Sequence, residues 1–180
     1  MVTLCILGIL CTIGLINLSQ TWNKERLKAS ARAIENWLSQ QRLQAMQYGL
    51  TCEVLIDVEK KTLTGQVAFS SSEQEPKKGC NLASVPQTIE IADKFQSGGE
   101  NVSISFSPAV ADSSSSAGIL FSFRGFSENK NLAGNEQLEL RLKHKNVAMD
   151  RCIKIVSPIG LIRDGYASNP SSDCRYDRPY

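Results

Sequence analysis

The stretch VTLCILGILCTIGLINL, residues 2–18, carries no charge, and the first charged side chain of the chain is Lys24. A helix that is apolar on every side must be surrounded by protein or by lipid. The remaining residues are mostly β-patterned and make a poor wrapper for such a helix, so lipid is the expected surrounding. A cleaved secretory signal would need a basic segment before the apolar run and small residues at a cleavage site, and neither is present. Seventeen residues at a helical rise reach about 26 Å, somewhat short of a hydrocarbon core of roughly 30 Å. Lys24, Arg26, Lys28 and Arg32 all follow the run, and the positive-inside rule applied to them alone puts the remainder in the cytoplasm.

The cysteines argue the other way. Cys5 and Cys11 lie inside the apolar run, where they read as small apolar residues, while Cys52, Cys80, Cys152 and Cys174 lie in the polar remainder. None of the four forms a CxxC pair and His144 is the only histidine, so the spacing of a zinc site is missing. Of the three possible connectivities, chain order favours Cys52 with Cys80 and Cys152 with Cys174, each bridge stabilising by about 3 kcal/mol. Four buried reduced thiols are the other reading. Disulfides belong to oxidising compartments, outside the cytoplasm.

Charge and motifs narrow the function. Twenty basic and 18 acidic residues are spread along the 180-residue chain, which is room for one compact domain with an appendage and makes no demand for nucleic acid. There is no G-x-S-x-G, no glycine-rich phosphate loop after a strand and no metal-ligand spacing. His144, between Lys143 and Lys145, is expected at the surface, and Asp57 and Glu59 read as turn acids before KKT. No catalytic, metal-binding or cofactor residue is assigned, and no enzyme is expected.

From Trp22 to Tyr48 there is neither Pro nor Gly, and Leu27, Ala31, Ile34, Leu38 and Ala45 recur at helical spacing, with Trp37 widening the stripe. Lys24, Arg26, Lys28, Arg32, Glu35 and Arg42 are expected on the solvated side, and Gly49 is a stop. Beyond it the period becomes two. LELRLK alternates Leu138, Leu140 and Leu142 with charges; Val102, Ile104 and Phe106 alternate likewise, as do Cys52, Val54, Ile56 and Val58. Further strands are expected near 66–70, 88–95, 118–124 and 151–156, with loops at 70–79 and 112–118. The predicted fold class is α+β: one long N-terminal helix whose second half lies across an antiparallel sheet. Three regions follow: 1–20, the apolar half of the helix; 21–49, its amphipathic half; and 50–180, a sheet domain with a disulfide-tied tail.

This layout and the wording of its segments resemble the type IV pilin-like proteins, within them the H-type minor pseudopilins and related minor pilins. MVTLCILGILCTIGLINL is similar to the family's GFTLIELMVTLAILGILATIGLPNL from its Met onward. QRLQAMQYG, with Arg42, Ala45 and Gly49, is similar to the end of the family's helix. FSFRGF, with Phe123, Arg124 and Gly125, resembles an F-x-x-R-G strand and turn, and IKIVSPIGLIRDG, with Gly160 and Arg163, resembles a closing hairpin. The family's kinking Pro falls at Ile16, leaving Gly14 to loosen the helix there.

The resemblance implies that a basic leader, the cleavage glycine, the following Phe and a motif Glu lie upstream of Met1. Such a leader would hold the N-terminus in the cytoplasm and reconcile charge with cysteines. It further implies a non-enzymatic structural subunit of a type IV pilus or a type II secretion pseudopilus. Such a subunit is single-pass in the inner membrane, with its sheet domain periplasmic or extracellular. The implied partners are other pilin or pseudopilin subunits, the inner-membrane assembly platform and the lipid bilayer. Leu4, Leu7, Gly8, Leu10, Ile13, Gly14 and Leu15 would form the membrane and assembly helix, the two glycines permitting close helix approach. The alternative is a DNA-binding minor pilin of an uptake pilus, because some relatives bind DNA around a G-R-x-R motif. Here that stretch is Gly160-Leu161-Ile162-Arg163, with Arg175 and Arg178 in the tail and Asp164, Asp173 and Asp177 opposing them.

Overall fold

A computed structural model describes residues 2–68, 80, 88–91, 102–107, 116–130, 137–169 and 172–176; side chains are described from Gln20 onward, those of residues 106, 107, 116, 117 and 130 excepted. Among the described residues one helix, α1 (Val2–Tyr48), precedes nine strands: β1 (Cys52–Asp57), β2 (Thr62–Val67), β3 (Thr88–Glu90), β4 (Val102–Ser107), β5 (Ser116–Phe121), β6 (Ser127–Lys130), β7 (Leu138–His144), β8 (Asp150–Val156) and β9 (Leu161–Ala167).

The helical stripe is the seam of the molecule. Leu27, Ala31, Ile34, Leu38 and Ala45 are all buried, and Trp37 with them. The same period places Gln41 in the stripe, and it too is fully enclosed, with neither amide atom hydrogen-bonded among the described residues. α1 ends where Gly49 takes a positive φ of 65° and the Leu50 N–H donates to the Ala45 carbonyl at 3.1 Å, the glycine-dependent cap that closes many helices.

Two antiparallel sheets, not one, receive this seam. The first has the order β3-β2-β1-β5-β6 and the second β4-β7-β8-β9. Val54, Ile56, Leu63, Ile119 and Phe121 line the core side of the first; Leu138, Leu140, Leu142, Ile153 and Ile155 line that of the second. Alternation in β1 and β7 is as the sequence reads, since each strand has one face on the core.

Other boundaries move. The strand expected near 66–70 is Thr62–Val67, because the turn after Asp57 is short and the chain pairs at once with β1. The strand expected at 118–124 is Ser116–Phe121. Ser116, Ala117 and Gly118 lie in β5 rather than in a loop, held in register against Asp57, Ile56 and Leu55. Pairing to a central strand overrides their weak strand propensity. Of the strand expected over 88–95, Thr88–Glu90 is extended and 92–95 lie outside the described residues, as do 70–79 and 112–115. β6 carries no alternation legible beforehand.

Asp57 caps the β1–β2 turn: it accepts the Lys60 N–H at 2.9 Å, and that bond holds its carboxyl below the usual range. This is the turn role expected for it.

Candidate functional site

Three segments far apart in sequence meet at the end of the domain where α1 stops. Arg42, expected on the wet side of the helix, instead donates from Nε to the Gly125 carbonyl at 2.9 Å and from Nη2 to the Ile159 carbonyl at 3.1 Å. Gly125 sits in the turn between β5 and β6, and Ile159 and Gly160 in the turn between β8 and β9. The same two turns are tied by Ser127 N–H to the Pro158 carbonyl and by Ser157 Oγ to the Ser127 carbonyl, each 2.9 Å. Arg42, Gly125 and Gly160, three of the residues on which the resemblance rests, are therefore one cluster around one guanidinium. Arginine suits this place because its planar fork serves two carbonyls while its stem packs on the helix.

The C-terminal segment crosses the outer face of the second sheet, from Tyr166 on β9 to Glu139 on β7. Cys152 on β8 is bonded to Cys174, and Cys52 on β1 to Cys80, the pairing that chain order favoured. Arg175 exchanges both backbone hydrogen bonds with Tyr166 on β9, at 2.8 and 3.0 Å. The Tyr176 hydroxyl donates to Glu139 at 2.5 Å; burial, then that bond, pushes its phenol well up. Arg141 donates to the Ser172 carbonyl at 2.9 Å. Glu139 stands beside Cys152 and Cys174, but with both sulfurs joined to each other this is no thiolate set for a metal.

The candidate DNA-binding residues are only partly brought together. Arg163 is exposed on β9, opposite Lys154, while Asp164 faces the other side of the strand, opposite Ile153. Arg163 and Asp164 therefore stand on opposite faces of β9. Arg175 is exposed beside β9, and Arg178 lies outside the described residues. Lys154 lies 5.3 Å from the Tyr176 ring centre, and so is engaged with the tail.

His144, expected at the surface, is buried at 7% exposure. Its place on β7, two residues from Leu142, turns it to the core side, and its Nδ1 accepts the Asn146 N–H at 3.2 Å. Burial, and secondarily the charge of Arg26, lowers its pKa from 6.5. The unfolded chain then binds the proton more readily than the folded one. The stability of the neutral form is complete above about pH 6.5 and falls as pH drops through that value toward the folded pKa. Between pH 7 and 5 the loss should be read as a falling denaturation midpoint. A His144→Gln variant, which keeps an acceptor, should show a shallower slope; an identical slope would refute the assignment.

Leu4, Leu7, Gly8, Leu10, Ile13, Gly14 and Leu15 have backbone within α1, and their side chains lie outside those described. Among the described residues no helix is long and apolar enough to cross a membrane.

A single long helix laid by its second half against antiparallel sheets, with a strapped C-terminal tail, is the type IV pilin-like α+β fold. Three solved structures, of two proteins, share it at 13% identity. The minor pseudopilin EpsH from the type 2 secretion system of Vibrio cholerae aligns with a TM-score of 0.55, over 77% of this chain and 95% of that one. The type IV minor pilin FimU of Pseudomonas aeruginosa aligns with a TM-score of 0.50, over 85% and 95%. A second EpsH structure gives 0.53, over 83% and 99%, at the same identity. No family model and no curated protein matches the chain.

Proposed function

We propose that the chain is a minor pilin or pseudopilin, a structural filament subunit that does no chemistry. In this reading residues 2–18 anchor it in the inner membrane and the sheet domain lies on the oxidising side, where it meets other pilin-like subunits. The observation that carries the reading is the packing of the Leu27-to-Ala45 stripe on two antiparallel sheets, and the fold-level alignment with EpsH and FimU over 95% of each of those chains supports it. The two disulfides support the compartment.

A charge in the apolar run tests it. Arginine at the centre of a membrane helix costs about 2.5–3.5 kcal/mol on the insertion scale, so Leu10→Arg should move most of the protein out of the membrane fraction and out of sheared filaments. An unchanged distribution would rule the reading out.

One observation favours the DNA-uptake alternative: Arg163 and Lys154 face outward together with Asp164 turned away. Salt-sensitive DNA binding lost in Arg163→Ala/Arg175→Ala would support that version of the subunit. Its absence at low salt would leave the purely structural one.

A further inference from the structure

The opposite end of the domain, where α1 first becomes polar, holds a cleft of about 500 Å³. Gln20, Thr21 and Lys24 of α1 form one wall; Asn146 to Met149, in the turn between β7 and β8, and Ser168 after β9 form the other. Its chemistry is divided. Lys24 brings a full positive charge, and Gln20, Thr21, Asn146 and Ser168 bring amide and hydroxyl groups, while Val147, Ala148 and Met149 supply an apolar strip. Asp150, though next in sequence to Met149, is buried and does not line the cleft.

Position on the chain selects among ligands of that chemistry. Lys24 is six residues beyond Leu18, the end of the apolar run, about 9 Å along a helix. Trp22 stands 60% exposed with the Arg26 guanidinium 5.6 Å from its ring centre. An indole so exposed beside a cation is well placed in the headgroup layer, where one end of the residue is wet and the other is not. Lys145, exposed, flanks the cleft from the sheet side.

We infer that this cleft binds the phosphodiester headgroup of an anionic phospholipid. Lys24 pairs with the phosphate, the neighbouring amide and hydroxyl groups serve its oxygens, and Val147, Ala148 and Met149 meet the glycerol backbone and first acyl carbons. The inference rests on the membrane-anchored reading above. Its consequence is mechanical: the lipid fixes the height and rotation of the sheet domain over the bilayer before the subunit leaves it.

The test uses the full chain in mixed micelles and in vesicles, with two readouts. In vesicles, quenching by brominated acyl chains of the emission lost in Trp22→Phe reports whether the chain enters the bilayer. In micelles, native mass spectrometry counts retained phosphatidylglycerol against phosphatidylcholine. One phosphatidylglycerol should be retained preferentially, and Lys24→Glu should weaken retention about ten-fold or more while leaving the quenching intact. Equal retention by wild type and Lys24→Glu, with normal quenching, overturns the cleft and leaves the anchor standing. Displacement of the lipid by millimolar inorganic phosphate overturns the lipid as ligand in favour of a free anion. No quenching in the wild type overturns the anchor and the cleft together.

Discussion

Gly160→Ala is expected to destabilise the protein by about 3 kcal/mol, beyond the 1–2 kcal/mol that a left-handed backbone costs an L-residue. Gly160 has a φ of 67°, and a Cβ built on it would lie 2.5 Å from the Gly125 carbonyl oxygen and 3.1 Å from Arg42 Nε. The oxygen is backbone and is itself the acceptor of the Arg42 hydrogen bond, so it cannot yield without opening the clamp. For a chain of this size the loss corresponds to a fall in Tm of roughly 6–12 °C.

Gly49 is the internal control. Its φ is 65°, yet no atom lies within 4 Å of its would-be Cβ, so Gly49→Ala should cost only the backbone term, about 1–2 kcal/mol. Thermal unfolding of the two variants side by side separates conformation from contact. If Gly160→Ala costs no more than Gly49→Ala, the two turns are not pressed together as described.

The second large effect is expected from Cys152→Ser/Cys174→Ser. The bridge closes a 22-residue loop, worth about 3 kcal/mol in the chain-entropy account. The loss is not confined to the unfolded chain. Without the bridge, the segment 172–176 keeps the pairing of Arg175 with Tyr166, the Tyr176–Glu139 bond and the Arg141–Ser172 bond. These contacts are few and partly exposed, so the tail should open locally well before the sheet unfolds. Two observations should therefore separate: a lower denaturant midpoint for the whole domain, and much faster tryptic cleavage after Arg175 under native conditions. Fast cleavage with an unchanged midpoint would show that the bridge holds only the tail. Neither effect would show that the tail is held without it.

Adding that variant to the DNA test would be informative, because Lys154 leaves the Tyr176 ring when the tail opens. Any affinity hidden by the strap would rise as the strap is lost.

Features governed by local periodicity were legible in the sequence. The helix stripe from Leu27 to Ala45, the alternation in β1 and β7, the stop at Gly49 and the turn at Asp57 each depend on residues within a turn or two of one another, so their spacing states their structure. The disulfide pairing followed from chain order because both bridges are local in sequence.

Tertiary structure alone decided the rest. Arg42 reads as a surface cation until two turns, 83 and 117 residues away, present their carbonyls to it. His144 reads as exposed between two lysines until pairing with Val102 of β4 extends β7 far enough for the period from Leu138 to carry it to the core side. Ser116 to Gly118 read as loop until β1 supplies their hydrogen bonds. The number of sheets, and the clustering of three distant segments at one end of the domain, belong to the same class. Periodicity records which side of an element is apolar. It cannot record which distant group will satisfy a polar one, because that partner is chosen only when the chain closes on itself.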